Sequence, residues 1–173
     1  ILTGSFGEAT IRWPAGPNRA LAASDPSMFS ASRPRVSVVI PLFQKAPYIR
    51  RALDSVFRQT IQELEVIVVD DGSTDGALRI LGEVRDRRLT VHSKEHEGVS
   101  AARNAGVSLA RAPWAAFLDA DDEWLPTFLE ATLRIAERSP GLNAVLSNIH
   151  DQSLGRAMHD QVPVNVVPLP FRA

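Results

Sequence analysis

The sequence predicts an α/β fold in which a doubly wound, mostly parallel sheet is flanked by helices in a three-layer sandwich. Two observations carry this prediction. Short apolar runs rich in β-branched residues alternate along the chain with amphipathic segments of helical period. These runs lack polar alternation, which is typical of parallel strands covered on both faces. Acidic residues gather where the runs end, and ligands of parallel sheets bind beyond that edge.

The first strand and helix follow a segment that resembles a linker. Residues 1–33 are rich in Gly, Ser, Ala and Pro, and we interpret them as a weakly ordered arm or linker. The β-branched run at residues 36–40 predicts a first strand that is stopped by Pro41. Residues 48–59 predict a helix because apolar side chains recur there at the helical period, and Pro47 suits its start.

The second strand and helix are predicted from a second apolar run and the polar turn after it. Residues 65–70 predict the strand. Ser73 and Thr74 then offer side-chain oxygens as candidate N-caps for a short helix over residues 75–84.

The remaining elements keep the alternation. Residues 89–92 predict a third, weaker strand and residues 100–110 an Ala-rich helix. Residues 114–118 are uniformly apolar and predict a fourth strand covered on both faces. Residues 125–138 predict an amphipathic helix, and residues 143–149 a fifth strand.

The composition limits the classes of function. A chain of 173 residues with 45% hydrophobic and 23% charged residues has room for one ordinary domain with a core. Its net charge of -1 gives no bulk attraction to nucleic acid, so we expect no nucleic-acid partner. The absence of Cys excludes disulfide and thiolate chemistry. No apolar run approaches the roughly 18 residues of a membrane span, and no signal peptide is evident.

The segment at residues 117–124, FLDADDEW, carries the strongest chemical signal. Asp119, Asp121 and Asp122 cluster where the fourth strand would end. Carboxylates this close repel one another unless a cation neutralises them, and Asp-x-Asp suits Mg²⁺ or Mn²⁺, which leave coordination positions open for substrate phosphates. An acidic, solvated turn explains this motif about equally well when it is taken alone.

Two further strand ends favour the site over the solvated turn. Because carboxyl ends of parallel strands meet at one edge of a sheet, unusual residues at three such ends predict a shared nucleotide and metal site. The residues concerned are Pro41 and Phe43 after the first strand, Asp70 and Asp71 after the second, and Asp119 and Asp121 after the fourth.

Four blocks together resemble the family 2 glycosyltransferases. They are SVVIPLF at residues 37–43, VIVVDDGSTDG at 66–76, GVSAARNAG at 98–106 and FLDADDEWLP at 117–126. The resemblance covers residues 34–150, which we predict to form a nucleotide-sugar-binding domain. It implies a GT-A-like fold, a nucleotide-diphospho-sugar donor that is most simply UDP-linked, and Mn²⁺ or Mg²⁺ as cofactor. The acceptor is a saccharide, lipid or protein that the sequence does not identify.

The resemblance also implies roles for individual residues. Pro41 and Phe43 would form the wall of the nucleobase site, and Asp71 would accept a hydrogen bond from a ring N–H of the base. Such an acceptor favours uracil. Asp70 is expected to make a structural contact, as a helix cap or otherwise, rather than to bind ligand.

Three residues are assigned to the phosphates, the ribose and the metal. Arg103 would lie near the nucleotide phosphates. Asp119 would contact the ribose and, with Asp121, hold the metal. His92 and His96 are expected to be non-ligands, because residues 92–98 read as a loop in which their spacing confers no shared face.

The second half of the family pattern is incomplete in this chain. Inverting members of the family use a carboxylate general base, typically the Asp of a Glu-Asp pair, and no such pair follows Asp122. We interpret residues 151–173 as the start of a truncated acceptor-side region. Two alternatives to a glycosyltransferase stay open: a catalytically incomplete donor-binding module, and a nucleotidyltransferase. We expect a location in the cytoplasm or at the cytoplasmic face of the membrane, where nucleotide sugars are made.

Overall fold

The computed structural model describes residues 33–138, 150–151 and 156–157. Four parallel strands form one sheet in the order β3-β2-β1-β4, with two-residue strands β5 and β6 paired antiparallel elsewhere. The strands are β1 (Val36–Leu42), β2 (Leu64–Asp70), β3 (Leu89–Ser93), β4 (Trp114–Phe117), β5 (His150–Asp151) and β6 (Arg156–Ala157). The helices are α1 (Ala46–Phe57), α2 (Ala77–Gly82), α3 (Val99–Leu109) and α4 (Phe128–Arg138). The predicted doubly wound, parallel α/β sheet is confirmed.

The sheet is covered on both faces, as its apolar strands require. One face packs against α1, α2 and α4 in the main core, which includes Val38, Leu53 and Leu129. The other face packs against α3, where Ile67 and Ala102 form a second, smaller cluster. β1 and β2 are buried along their whole length because they lie in the middle of the sheet.

The first strand does not stop at Pro41, contrary to the prediction. β1 pairs with β2 through Leu42 but with β4 only through Val39. The carbonyl of Val39 accepts a hydrogen bond from Leu118 on the β4 side. Because backbone groups alternate in direction along a strand, the backbone nitrogen of Pro41 also faces that side, where the pairing has ended. The missing N–H therefore removes no ladder hydrogen bond.

The fourth strand is less covered than its sequence predicts. Its first three residues are half-buried and Phe117 is 40% exposed. The reason is position, since β4 has a neighbouring strand on one side only within the described part of the chain.

Two helices begin later than predicted. α2 begins after Gly76, which has a φ of 89°, and neither Ser73 nor Thr74 caps it. α4 begins at Phe128, and Leu125, predicted to lie on its apolar face, is 78% exposed. The amide of buried Gln59 donates to the carbonyl of Leu125 and accepts from the backbone N–H of Leu129. A side chain from the end of α1 thus satisfies the start of α4, which sequence periodicity does not reveal.

A buried polar network ties the strands together at the sheet edge opposite the predicted site. Glu65 Oε1 accepts a hydrogen bond of 2.7 Å from Ser37 Oγ, and Arg111 contacts both carboxylate oxygens. Burial by itself would raise the pKa of Glu65, but the hydrogen bonds from Ser37 and Arg111 outweigh it and hold the pKa below its ordinary value.

The predicted arm and acceptor-side region are not tested by the structure. Residues 1–32, the predicted fifth strand at 143–149 and most of residues 151–173 lie outside the described residues. In the described part of the chain, no helix is long and apolar enough to cross a membrane.

Candidate nucleotide-sugar site

A cavity of about 270 Å³ opens at the carboxyl edge of the sheet. It lies where the strand order changes direction, because the chain runs outward from β1 to β3 and then returns to place β4 on the other side of β1. This is the switch point at which ligands bind in open parallel sheets. The lining residues are Pro41, Leu42, Phe43, Lys45, Asp71, His96, Val99, Ala102, Asp119, Ala120 and Asp121.

Asp71 is the most enclosed acid of the cavity. Its side chain is 2% exposed, and its two oxygens lie within hydrogen-bond distance of four donor groups. Lys94 Nζ lies 2.9 Å and the backbone N–H of Glu97 3.0 Å from Oδ1, whereas the Gly98 N–H lies 2.7 Å and His96 Nδ1 2.8 Å from Oδ2. Burial opposes the charge, but Lys94 and the two N–H groups prevail and lower the pKa of Asp71 to about 2. The carboxylate is therefore ionised at neutral pH.

An aromatic pair lies beside this carboxylate, since His96 contacts Asp71 and stacks on Phe43. The rings of Phe43 and His96 are stacked with centroids 4.0 Å apart and planes inclined by 22°. His96 Nδ1 also lies 3.1 Å from the backbone carbonyl of Asp71. The expectation that His96 lies in a loop after β3 is correct, but the ring belongs to the cavity lining; His92, in contrast, lies in β3.

Side-chain cations contact two carboxylates of the acidic cluster after β4. Lys45 Nζ lies 2.6 Å from Asp121 Oδ2, and Arg103 Nη2 lies 2.7 Å from Asp119 Oδ1. The hydrogen bond from Lys45 is the main cause that lowers the pKa of Asp121. The pKa of Asp122 is raised, first by desolvation and then by the negative charges of Asp119 and Asp121. Ionisation of Asp122 is thus disfavoured by its burial and by the two neighbouring carboxylates.

The donor set of this cluster fits a divalent cation shared with a ligand. No three His, Cys, Asp or Glu side chains among the described residues are placed to hold a metal by themselves. Mg²⁺ typically takes only one or two protein carboxylates and completes its shell with water and substrate phosphate oxygens. Asp119 and Asp121 supply that number, and both are partly exposed, at 49% and 40% of their side-chain surface.

One unsatisfied donor lies beside the same cluster. Arg103 Nε is buried and has no hydrogen-bond partner among the described residues, although Nη2 of the same side chain reaches Asp119. A buried donor without an acceptor is costly, and Nε would gain an acceptor if the guanidinium group turned toward one, such as a phosphate oxygen. Arg103 lies on α3 and is not itself part of the cavity lining.

The polar turn after β2 shapes the loop that carries Phe43 and Lys45. Gln44, with a φ of 53°, donates from its backbone N–H to Ser73 Oγ and exchanges side-chain hydrogen bonds with Thr74. Asp75 Oδ2 accepts a hydrogen bond of 2.7 Å from the backbone N–H of Ala46, the first residue of α1. Ser73, Thr74 and Asp75 thus fix the loop after β1. Asp70 makes the expected structural contact, accepting a hydrogen bond from the Ser73 N–H.

The structure brings most of the predicted site residues together and adds three that the sequence did not indicate. Lys45, Lys94 and His96 contact the predicted acids directly. No periodicity marks these residues, since they lie in irregular loops after β1 and β3. The one sequence feature that pointed to such residues was the surplus of carboxylates at the sheet edge. It predicts nearby cations but does not identify the residues that supply them.

The chain matches the family described as Glycosyl transferase family 2 over residues 37–164. It belongs to this family. EpsJ, an uncharacterized glycosyltransferase of Bacillus subtilis, is 33% identical over 125 residues, which is 71% of this chain and 36% of EpsJ. The chondroitin synthase of Pasteurella multocida is 38% identical over 103 residues, 58% of this chain and 11% of the synthase. The family 2 chain thus spans well under half the length of these curated relatives.

Two solved glycosyltransferase structures are similar to this chain and confirm its GT-A-like architecture. The mannosyltransferase PcManGT from Pyrobaculum calidifontis, solved with GDP-Man and Mn²⁺, matches with a TM-score of 0.60 and 31% identity over 75% of this chain and 38% of its own. S. aureus TarS 1-349, solved with UDP, matches with a TM-score of 0.56 and 24% identity over 67% of this chain and 41% of its own. The second likeness concerns the fold alone.

Proposed function

We propose that this family 2 chain is the donor-binding half of a glycosyltransferase that takes a sugar from a UDP-linked donor with the help of Mn²⁺ or Mg²⁺. The observation that carries the proposal is the single cavity edge at which an aromatic wall, a buried ionised carboxylate and a second, solvent-accessible carboxylate cluster converge. The aromatic wall would stack on the nucleobase, the buried carboxylate would accept a hydrogen bond from the ring N–H of the base, and the second carboxylate cluster would hold the metal that binds the diphosphate.

The base end of the donor is assigned to Phe43 and Asp71. The ring of Phe43 offers a stacking surface 41% exposed to solvent, and Pro41 lines the same wall. Asp71 is a pure acceptor because it is ionised, so it selects a base that presents an N–H. Uracil presents one at its ring nitrogen. Guanine presents one as well, and PcManGT was solved with a GDP-linked sugar, so GDP is the nucleotide against which UDP is compared.

The diphosphate end is assigned to the cluster after β4. Asp119 and Asp121 would hold the cation, which when bound supplies Lewis-acid stabilisation of the leaving diphosphate. Lys45 and Arg103 already contact these two carboxylates, and both can turn toward phosphate oxygens when the cation takes their place. The two side chains would thereby add positive charge where the leaving group becomes more negative.

The acceptor half of the reaction lies outside the described residues. Attack of an acceptor hydroxyl requires a general base, and transfer with inversion is implied by the family resemblance alone. Asp119 and Asp121, which follow β4 and line the cavity, are partly exposed to solvent. We propose that residues 151–173 begin the acceptor-side region and that the reaction takes place where nucleotide sugars are made, in the cytoplasm or at the cytoplasmic face of the membrane.

A calorimetric titration of UDP into the purified chain tests this proposal. We expect binding with Mn²⁺ present that becomes at least about tenfold weaker with chelator or in an Asp121→Asn variant, because the diphosphate then lacks its counter-charge. Asp54→Asn is the matched control, since Asp54 pairs with Arg50 on the exposed face of α1. The proposal is refuted if UDP binds equally to the unaltered chain and both variants without a need for metal, or if the folded chain does not bind UDP. Binding of a UDP-sugar without transfer or hydrolysis would indicate a donor-binding module.

A further inference from the structure

The side chain of His96 has the chemical form of the ligand that its surroundings are proposed to bind. It is a planar heteroaromatic ring stacked on Phe43, with centroids 4.0 Å apart. Its Nδ1 lies 2.8 Å from Oδ2 of Asp71. Because an ionised carboxylate can only accept, the nitrogen that faces it carries a proton. A nucleobase at this site would make the same stack and the same N–H hydrogen bond.

The hydrogen-bond inventory of Asp71 shows that His96 and a base cannot both be bound in this way. A carboxylate has about four lone-pair positions. In the folded chain these face Lys94, the N–H groups of Glu97 and Gly98, and His96. The carboxylate is 2% exposed, so no further direction of approach is open. A base N–H must therefore replace one of the four donors.

We propose that His96 occupies the nucleobase position in the free chain and is displaced when the donor nucleotide binds, so that His96 sets the affinity of the site. The inference rests on the proposed donor-binding function and adds to it an affinity-determining residue outside the four sequence blocks. Of the four donors, His96 is the one that can leave. Its side chain is 55% exposed, whereas the side chain of Lys94 is 17% exposed and the other two donors are backbone groups.

The backbone around His96 stays in place while its ring turns out. The neighbouring N–H groups of Glu97 and Gly98 hold the loop on Asp71. On the other side the backbone of His96 lies close to Gly72, where an added Cβ would come within 3.2 Å of the His96 nitrogen. Rotation about the side-chain bonds of a half-exposed residue takes place in picoseconds to nanoseconds. Exchange of the imidazole for a base thus requires no loop movement.

The consequence for binding is quantitative. If the site binds a base only when the His96 ring has turned out, the apparent Kd equals the intrinsic Kd divided by the fraction of molecules in which the ring is out. If the ring is inside about nine-tenths of the time, its removal tightens binding about tenfold. We therefore expect His96→Ala to bind UDP about tenfold more tightly than the unaltered chain, with Mn²⁺ present throughout. His92→Ala, which removes an exposed imidazole of β3 outside the cavity lining, is the matched control and should leave the Kd unchanged.

A proton NMR titration of the same proteins supplies a readout of the ring itself. In the free chain the ring protons of His96 lie over Phe43 and should be displaced from their usual shifts, and the His96→Ala spectrum identifies them. Saturation with UDP should return them toward the values of a solvated imidazole, with the His92 signals unmoved.

The outcomes separate this inference from the proposed function. If the unaltered chain binds UDP but His96→Ala binds it equally or more weakly, or if the His96 signals do not move at saturation, His96 is not a displaced occupant and the inference is overturned. If neither protein binds UDP, the donor site is refuted and the inference falls with it. Tighter binding in His96→Ala together with the expected shift supports both.

Discussion

The ammonium group of Lys94 lies 2.9 Å from the carboxylate of Asp71, and the two side chains are 17% and 2% exposed. Lys94 comes from the loop after β3, and Asp71 follows β2 directly. The pair thus joins the ends of two neighbouring strands and keeps a charge ionised at a depth where desolvation opposes it. Lys94 also contacts Glu97, the residue whose N–H binds Asp71.

The first prediction follows from the lowered pKa of Asp71. Because this pKa is about 2 in the folded chain and ordinarily 3.8, the carboxylate stabilises the fold above about pH 4 and the stabilisation is lost as the pH falls toward 2. Asp71→Asn should reduce the free energy of unfolding at pH 7, and its deficit should shrink by about 2 kcal/mol on acidification. Urea denaturation of both proteins between about pH 7 and pH 2 measures the difference. A deficit independent of pH would contradict the assigned titration.

The second prediction concerns Lys45 and the metal. Lys45 lies 2.6 Å from Asp121, so in the absence of nucleotide it competes with a divalent cation for the same carboxylate. Lys45→Met should therefore bind Mn²⁺ alone several-fold more tightly, because a positive charge has been removed from the site. Calorimetric titration of Mn²⁺ at constant ionic strength measures this. Arg50→Met removes a cation of α1, the helix that follows Lys45, where Arg50 pairs with Asp54, and it should have no effect.

The same variant should behave in the opposite way toward the nucleotide. In the unaltered chain the cation would displace the Lys45 ammonium group from Asp121 and free it to contact the diphosphate. Lys45→Met lacks this group, so it should bind UDP more weakly with saturating Mn²⁺. Weaker binding of both Mn²⁺ and UDP would instead mean that Lys45 merely holds Asp121 in place.

The third prediction concerns the choice of base. Cytosine differs from uracil in presenting a ring acceptor in place of the ring N–H, which would face the ionised Asp71. CDP should therefore bind at least about tenfold more weakly than UDP, because buried groups would be left unpaired. Competition of CDP, UDP and GDP in one binding assay ranks the bases. Asp71→Asn, whose amide can donate as well as accept, should reduce the preference for UDP over CDP, and an unchanged preference would exclude Asp71 from base contact.

The fourth prediction concerns the close approach of α3 to the sheet. A Cβ on Gly106 would overlap Cγ1 of Val39, which is completely buried in β1. Gly106→Ala should lower the free energy of unfolding by about 1 to 3 kcal/mol, as overpacking does. Gly82→Ala is the control, because nothing lies within 4 Å of a Cβ at that position. Chemical denaturation compares them, and Val39→Ala combined with Gly106→Ala should lose less than the sum of the single variants.

The predictability of this fold rests on the strength of its local patterns. The strand runs from Val36 and Leu64 are apolar on both faces, and the sheet buries them on both faces. Between residues 36 and 138 the order of helices and strands followed from these patterns, and the ends of these elements were predicted correctly to within about three residues. Errors arose where the decisive group was distant in sequence. Gln59, which satisfies the start of α4, lies 66 residues from its partner Leu125.

The sequence by itself determined that acids would gather at the carboxyl edge of a parallel sheet, because strand periodicity and the position of Asp71, Asp119 and Asp121 in the chain fix which edge they reach. Only the tertiary structure decided which of these acids is buried and which cation faces each of them. Lys45 is 76 residues from Asp121, and His96 is 25 residues from Asp71. Such pairs form because strand order brings separate loops together, and loops carry no periodic signal from which their mutual distance can be predicted.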